Sequence, residues 1–180
     1  MPVDKPVFLY GGKLRKPQGI EFQIKCFFWN KREDRLPFLI VGNGTESNKM
    51  DDWILKLQPR NITKITYLPK ADYYKVVASC DVGLFFIDYR FTIPNFLGLL
   101  PNLEYKMPVT WAKDISSDIG HIVEEIGFGL WCESKDLSDI VKCVDKMLSM
   151  DVKTLGEKGY QYLCDNYLLE NTYHAIISHV

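Results

Sequence analysis

The chain has little of what marks a metal, redox or nucleic-acid protein at first sight. Its 180 residues include only 3 histidines, scattered at His121, His174 and His179 without HExxH or Cys/His ligand spacing, so no metal site is expected. The 5 cysteines, Cys26, Cys80, Cys132, Cys143 and Cys164, are odd in number, form no CxxC pair and sit mostly among apolar neighbours. They read as reduced core or boundary thiols. A formal charge of −1 leaves no basic surplus for a phosphate backbone, which argues against nucleic acid as a partner. No apolar run approaches the ~20 residues that span a bilayer, because Leu97–Leu100 is broken at once by Pro101 and Asn102. The opening Met-Pro-Val-Asp-Lys-Pro has the pattern of neither a signal nor a transit peptide. The expectation is a cytoplasmic protein without a transmembrane segment, with peripheral attachment to the inner face of a membrane left open. GxGxxG, GxSxG and DxD are also missing, and no nucleophile–base or acid–base couple stands out.

What remains is the composition of an ordinary globule, 47% hydrophobic and 25% charged, long enough for one well-cored domain over residues 1–180. Apolar runs at Val7–Tyr10, Phe38–Val41, Ile62–Tyr67, Val82–Ile87 and Val109–Ala112, with a weaker one at Gly129–Cys132, are mostly continuous, as in strands covered on both faces. Helical spacing lies between them. Ile20, Ile24, Phe27 and Phe28 share one face, as do Tyr73, Val76, Val77 and Cys80, and Ile115, Ile119, Ile122, Val123 and Ile126. Leu137, Ile140, Val141, Val144, Met147 and Leu148 give the cleanest stripe, and helices over Val152–Tyr167 and Glu170–Ser178 complete the chain. This alternation predicts an α/β fold, a doubly wound parallel sheet of Rossmann-like type.

Ligands of such sheets bind outside the carboxyl ends of the strands, which here are the loops Gly11–Lys13, Gly42–Thr45, Leu68–Lys70, Asp88–Phe96 and Lys113–Ser117. Gly11 and Gly12 let the backbone turn tightly and come close to a phosphate, and the following helix would aim its N–H groups there. Lys13, Arg15 and Lys16 place three cations beside that turn, and a diphosphate is the simplest ligand for it. Gly42-Asn43-Gly44-Thr45 serves equally as a tight turn capped by Thr45 or Ser47 or as a second anion cradle. Arg90 has the planar fork for a phosphate, or lies solvated at the surface. Ser116 or Ser117 reads as a helix N-cap.

Read in order, the stretches LYGGKLRKPQGIEF, FLIVGNGTE, ITYLPKADYYKVVASCDVGLFFID, RFTIPNF, LEYKMPV and SSDIGHIVEEIGFGLWCES resemble the C-terminal, donor-binding half of GT-B glycosyltransferases of the family-4 (group 1) type. The similarity is to bacterial enzymes that build capsule and O-antigen. It implies a domain that holds a nucleotide-diphosphate sugar as donor substrate, needs no further cofactor or metal, and faces an acceptor-binding N-terminal domain absent from this chain. It implies donor contacts at Gly11, Gly12, Lys13 and Arg15, at Tyr67, Leu68 and Lys70 beside the nucleobase, at Arg90 and Asn95 beside the sugar and phosphates, and at Ser117. The family's second basic position falls on Gln18, and its ribose-binding glutamate falls on Pro101, with Glu104 too late to inherit the role. Segment 97–102 thus departs from the family pattern. Pro101 is expected to start or break a helix, and the replacement PVTWAKD puts Trp111 in or beside the fifth strand, where it could wall off the pocket.

The resemblance implies sugar transfer, with retention of stereochemistry, to a growing surface polysaccharide or lipid-linked acceptor. Half a cleft should bind but hardly catalyse, so the isolated domain is expected to be inactive or nearly so. The alternatives are a non-catalytic remnant or partner subunit that binds nucleotide or another chain, and an unrelated flavodoxin-like binding domain.

Overall fold

A computed structural model of the chain describes residues 5–29, 36–91, 100–113, 119–168 and 171. Six strands among these residues form one sheet: β1 (Phe8–Gly11), β2 (Phe38–Val41), β3 (Ile62–Ile65), β4 (Val82–Phe86), β5 (Val109–Lys113) and β6 (Gly129–Glu133). Their spatial order is β3-β2-β1-β4-β5-β6, and every neighbouring pair is parallel. The strand order reverses between β1 and β4, which makes that junction the topological switch point. Among the described residues seven α-helices lie between and after these strands: α1 (Ile20–Trp29), α2 (Ser47–Leu57), α3 (Lys70–Val77), α4 (Leu100–Glu104), α5 (Ile119–Ile126), α6 (Leu137–Leu148) and α7 (Val152–Tyr167).

The central strands β1, β2 and β4 are nearly continuously apolar because successive side chains point to opposite faces and both faces are covered, whereas the edge strand β3 carries Thr63 and Lys64. Phe8, Tyr10, Phe38, Ile40, Leu84 and Phe86 join α1, α2 and α6 in one core. Phe27 of α1 stacks on Phe38 with ring centroids 4.2 Å apart and meets Phe8 edge-on at 5.2 Å. On the opposite face Leu9, Leu39 and Val41 pack with α3, while Val109 and Trp111 pack with residues of α4, α5 and α7. Side-chain caps start the last two helices, where Asp136 accepts from the Ser138 amide at 2.8 Å and Asp151 accepts from Lys153 and Thr154 at 3.1 and 3.2 Å.

Several expectations are refined. The third strand ends at Ile65, short of Tyr67, because β3 is an edge strand whose ladder stops at the Val41–Ile65 pairing. Ile87 lies past the end of β4, although its amide still reaches the Ala112 carbonyl at 2.8 Å. The helix after β2 is capped at neither Thr45 nor Ser47. Its N-cap is Glu46, and the Ser47 hydroxyl instead accepts from Lys64 Nζ at 2.7 Å. Trp111 does not reach the strand ends. It sits mid-strand in β5, 1% exposed, stacked on Phe85 at 5.1 Å in the core under the sheet. Pro101 lies one residue inside the described helix α4, whose peptide chain turns at Lys106 with φ +54°. The cysteines are free thiols; burial pushes Cys26 up to about 12 and Cys80 up to about 11. The expected helix at Glu170–Ser178 lies outside the described residues apart from Asn171. No described helix is long and apolar enough to cross a membrane.

Candidate donor site at the strand ends

The loops after β1 and β2 interlock through their backbones. The Gly12 amide bonds to the Val41 carbonyl at 3.0 Å, the Leu14 amide to Asn43 at 3.0 Å, and the Glu46 amide returns to the Leu14 carbonyl at 3.0 Å. A Cβ on Gly42 would stand 2.0 Å from the Gly12 carbonyl oxygen, so the second loop needs glycine simply to let the first pass. The turn reading of Gly42–Thr45 therefore has a direct packing cause.

Gly11 and Gly12 differ. The side-chain space of Gly11 is taken by the Tyr73 hydroxyl of α3, which would lie 2.1 Å from an added Cβ. Gly12 is exposed, with only the Tyr10 hydroxyl near, at 3.5 Å. That hydroxyl donates to the Lys13 carbonyl at 2.7 Å and pins the loop, while Lys13 itself is exposed. Burial pushes the Tyr10 phenol above its ordinary range, so it stays a neutral donor.

The chain then makes a 3₁₀ turn at Lys16–Gln18 before α1 begins at Ile20, so the N-terminus of α1 does not follow the glycine pair directly. Gln18, in the place of the expected second cation, closes this turn. Its side chain accepts from the Arg15 amide at 3.2 Å, and its carbonyl accepts from Gln23 Nε2 at 2.7 Å. The side chains of Arg15 and Lys16 are left exposed.

The β4 tip meets this turn across the switch point, where the Asp88 amide donates to the Pro17 carbonyl at 2.8 Å. Asp88 is 2% exposed. Its carboxylate accepts from the Arg90 amide at 3.0 Å and from Arg90 Nε at 2.9 and 3.1 Å, and it also pairs with Nη2. These hydrogen bonds hold the Asp88 carboxyl below the usual carboxylate range, with Lys16 pulling the same way. Asp88 in turn raises Arg90. The arginine fork expected to be open is half engaged.

Beyond β3, Tyr67 is 78% exposed and Leu68 is half-buried. Pro69 caps α3 by accepting from the Asp72 and Tyr73 amides at 3.0 and 2.9 Å, and Lys70 Nζ lies 5.6 Å from the centre of the Tyr74 ring. Tyr67, Leu68 and Lys70 therefore follow β3 at the same sheet end as the glycine turn. Asn95 and Ser117 lie outside the described residues. Sequence reasoning missed two groups here. Tyr73 was placed only on an apolar helix face, and Asp88 was not paired with Arg90, although an Asp-x-Arg spacing after a strand was in view. Among the described residues no group of three or more His, Cys, Asp or Glu is placed to hold a metal.

No protein-family model matches the chain. A curated relative, described as the probable glycosyltransferase WbjE of Pseudomonas aeruginosa, is 25% identical over 169 residues, spanning 91% of this chain and 41% of that protein. The C-terminal domain of a glycosyl transferase group 1 family protein, LpcC from Francisella tularensis, superposes with a TM-score of 0.75 at 14% identity, covering 94% of this chain and 89% of that one. The fold is that of the C-terminal half of a GT-B glycosyltransferase. A TarM variant of S. aureus, solved with fondaparinux, alpha-GlcNAc-glycerol and UDP, has the same GT-B half, with a TM-score of 0.78 at 14% identity over 98% of this chain and 36% of that one. The chain thus spans less than half of WbjE and of TarM.

Proposed function

We propose that the chain is the donor-binding half of a nucleotide-sugar-dependent glycosyltransferase that extends a surface polysaccharide or a lipid-linked acceptor. One observation carries the reading. Backbone bonds from Gly12 to Val41, from Leu14 to Asn43 and from Asp88 to Pro17 draw the tips of β1, β2 and β4 together, so that exposed Lys13, Arg15, Lys16 and Arg90 share one end of the sheet at the switch point. A nucleoside diphosphate is the anion this end suits. Gly12 offers close backbone approach, the lysines and arginines offer charge, and Tyr67 and Leu68 offer an apolar wall for a base.

In transfer, the departing diphosphate gains negative charge, and fixed cations beside it would stabilise that charge without reorganising. The acceptor and its binding domain lie in the part of such enzymes that this chain does not span, so turnover requires that partner domain. Gly11, Asn95 and Ser117 remain in the proposed contact set with Gly12, Lys13, Arg15, Tyr67, Leu68, Lys70 and Arg90.

Thermal-shift titration with UDP, GDP and their sugars tests the reading, since a ligand bound to the folded chain raises its melting temperature by mass action. Lys13→Ala is expected to weaken nucleotide binding about tenfold, the scale of one charge-assisted contact. No shift with any nucleotide would overturn the donor site and leave the non-catalytic partner as the reading.

A further inference from the structure

The carboxylate of Asp88 has no part in the donor contacts proposed above, yet it is buried at the centre of the strand ends, 2% exposed. A buried carboxylate is costly unless paired, and its partner here is Arg90, two residues on. The contacts occupy one edge of the guanidinium, the edge formed by Nε and Nη2. The group is planar with five N–H donors, so the opposite edge, Nη1 with the second Nη2 hydrogen, points away from the carboxylate. The Arg90 side chain is 59% exposed although its Nε and Nη2 are bonded to the buried carboxylate. Asp88 is itself anchored, since its amide is bonded to Pro17 next to Lys16.

We infer that Asp88 is a positioning residue: it grips Arg90 by one edge so that the other edge faces a diphosphate seated over the β1 and β4 tips. The inference rests on the donor-site reading above and adds to it the group that aims its arginine.

Two effects oppose each other. The negative charge of Asp88 repels the anion, while its grip removes the rotamer freedom that a long side chain would otherwise lose on binding. Lys13, Arg15 and Lys16 supply the positive field whether or not Asp88 is present. Glu21, the other carboxylate acting on Arg90, is itself paired with Lys25. Orientation is therefore the term that Asp88 uniquely controls.

A double-mutant cycle separates the two, with calorimetric titration of UDP, GDP and inorganic pyrophosphate into the wild type, Asp88→Asn, Arg90→Ala and the double variant. Asparagine keeps the shape and the bond from the Arg90 amide but loses the paired carboxylate. If Asp88 positions Arg90, Arg90→Ala costs about tenfold in affinity when Asp88 is present and only about twofold when it is Asn. If Asp88 merely neutralises Arg90, the Arg90→Ala loss is as large or larger without Asp88, and the inference is overturned. Melting curves without ligand report whether each variant is folded. Should Asp88→Asn not fold, Arg90→Lys asks the same question, because it keeps the charge and loses the fork. Wild-type affinity in Arg90→Lys overturns the role, and a loss near that of Arg90→Ala supports it. A wild-type chain that binds neither nucleotide nor pyrophosphate overturns the donor reading and this inference together. Binding that Lys13→Ala weakens and the Arg90 variants leave unchanged overturns this inference alone.

Discussion

At the tips of β1 and β2, backbone lies directly against backbone: amide meets carbonyl from Gly12 to Val41 and from Leu14 to Asn43, and the glycine at 42 leaves no space between. At the tip of β4 one backbone bond, from the Asp88 amide to Pro17, reaches the β1 loop, and the side-chain contacts there are those of the Asp88–Arg90 ion pair. The first arrangement is steric and almost indifferent to pH and salt. The second is electrostatic, and it leaves the cation half exposed. One end of the sheet therefore combines a sterically locked pair of loops with an exposed, ion-paired cation.

The strongest attack on this contrast is Gly42→Ala, whose Cβ would fall 2.0 Å from the Gly12 carbonyl oxygen. It is expected to destabilise the chain by about 3 kcal/mol through overpacking, read as a lower melting temperature. A neutral result would mean that the two loops are not locked.

Next comes the ionic tip. The folded Asp88 pKa is lowered, so its contribution is complete above the unfolded carboxyl value of about 3.9 and is lost as pH falls through the lower folded value. The melting-temperature gap between the wild type and Asp88→Asn should be full near neutrality and close below about pH 4, with Arg90 protonated throughout. A gap that does not change with pH would remove the ionic account.

Gly12→Ala should move stability by no more than about 0.5 kcal/mol, because its nearest new contact is ordinary. UDP affinity should nevertheless fall if backbone approach to the phosphate matters. The smallest effect is on exchange of the Arg90 amide, which should quicken in ~1 M salt as the latch is screened, while the Gly12 amide stays unchanged.

The central strands were legible because covered strands are written as apolar runs, and β2 matches its predicted span from Phe38 to Val41. Helix α7 matches too, over Val152–Tyr167. What the sequence hid was contact across the chain. Tyr73 fills the space above Gly11 from another βα unit, and Pro17 receives the Asp88 amide from a strand far along the chain. Local pattern carries no trace of either. Trp111 was expected in or beside the fifth strand, and the register with Phe85 and Trp131 places it within that strand, mid-sheet, away from the strand ends. The cap at Glu46 was missed because hydroxyl residues usually win that position, but here Ser47 is engaged by Lys64.

The thiol of Cys26, 1% exposed among residues of the core that α1 shares with α6, has a practical consequence. An alkylating reagent can reach it only after that layer has come apart, whereas Cys80, half-buried just past the end of α3, is the easier target of the two. The chain thus carries thiols of two kinds, buried Cys26 and Cys143 and half-buried Cys80, Cys132 and Cys164. Timed labelling, read thiol by thiol, would distinguish a breathing surface from global opening, with or without nucleotide present.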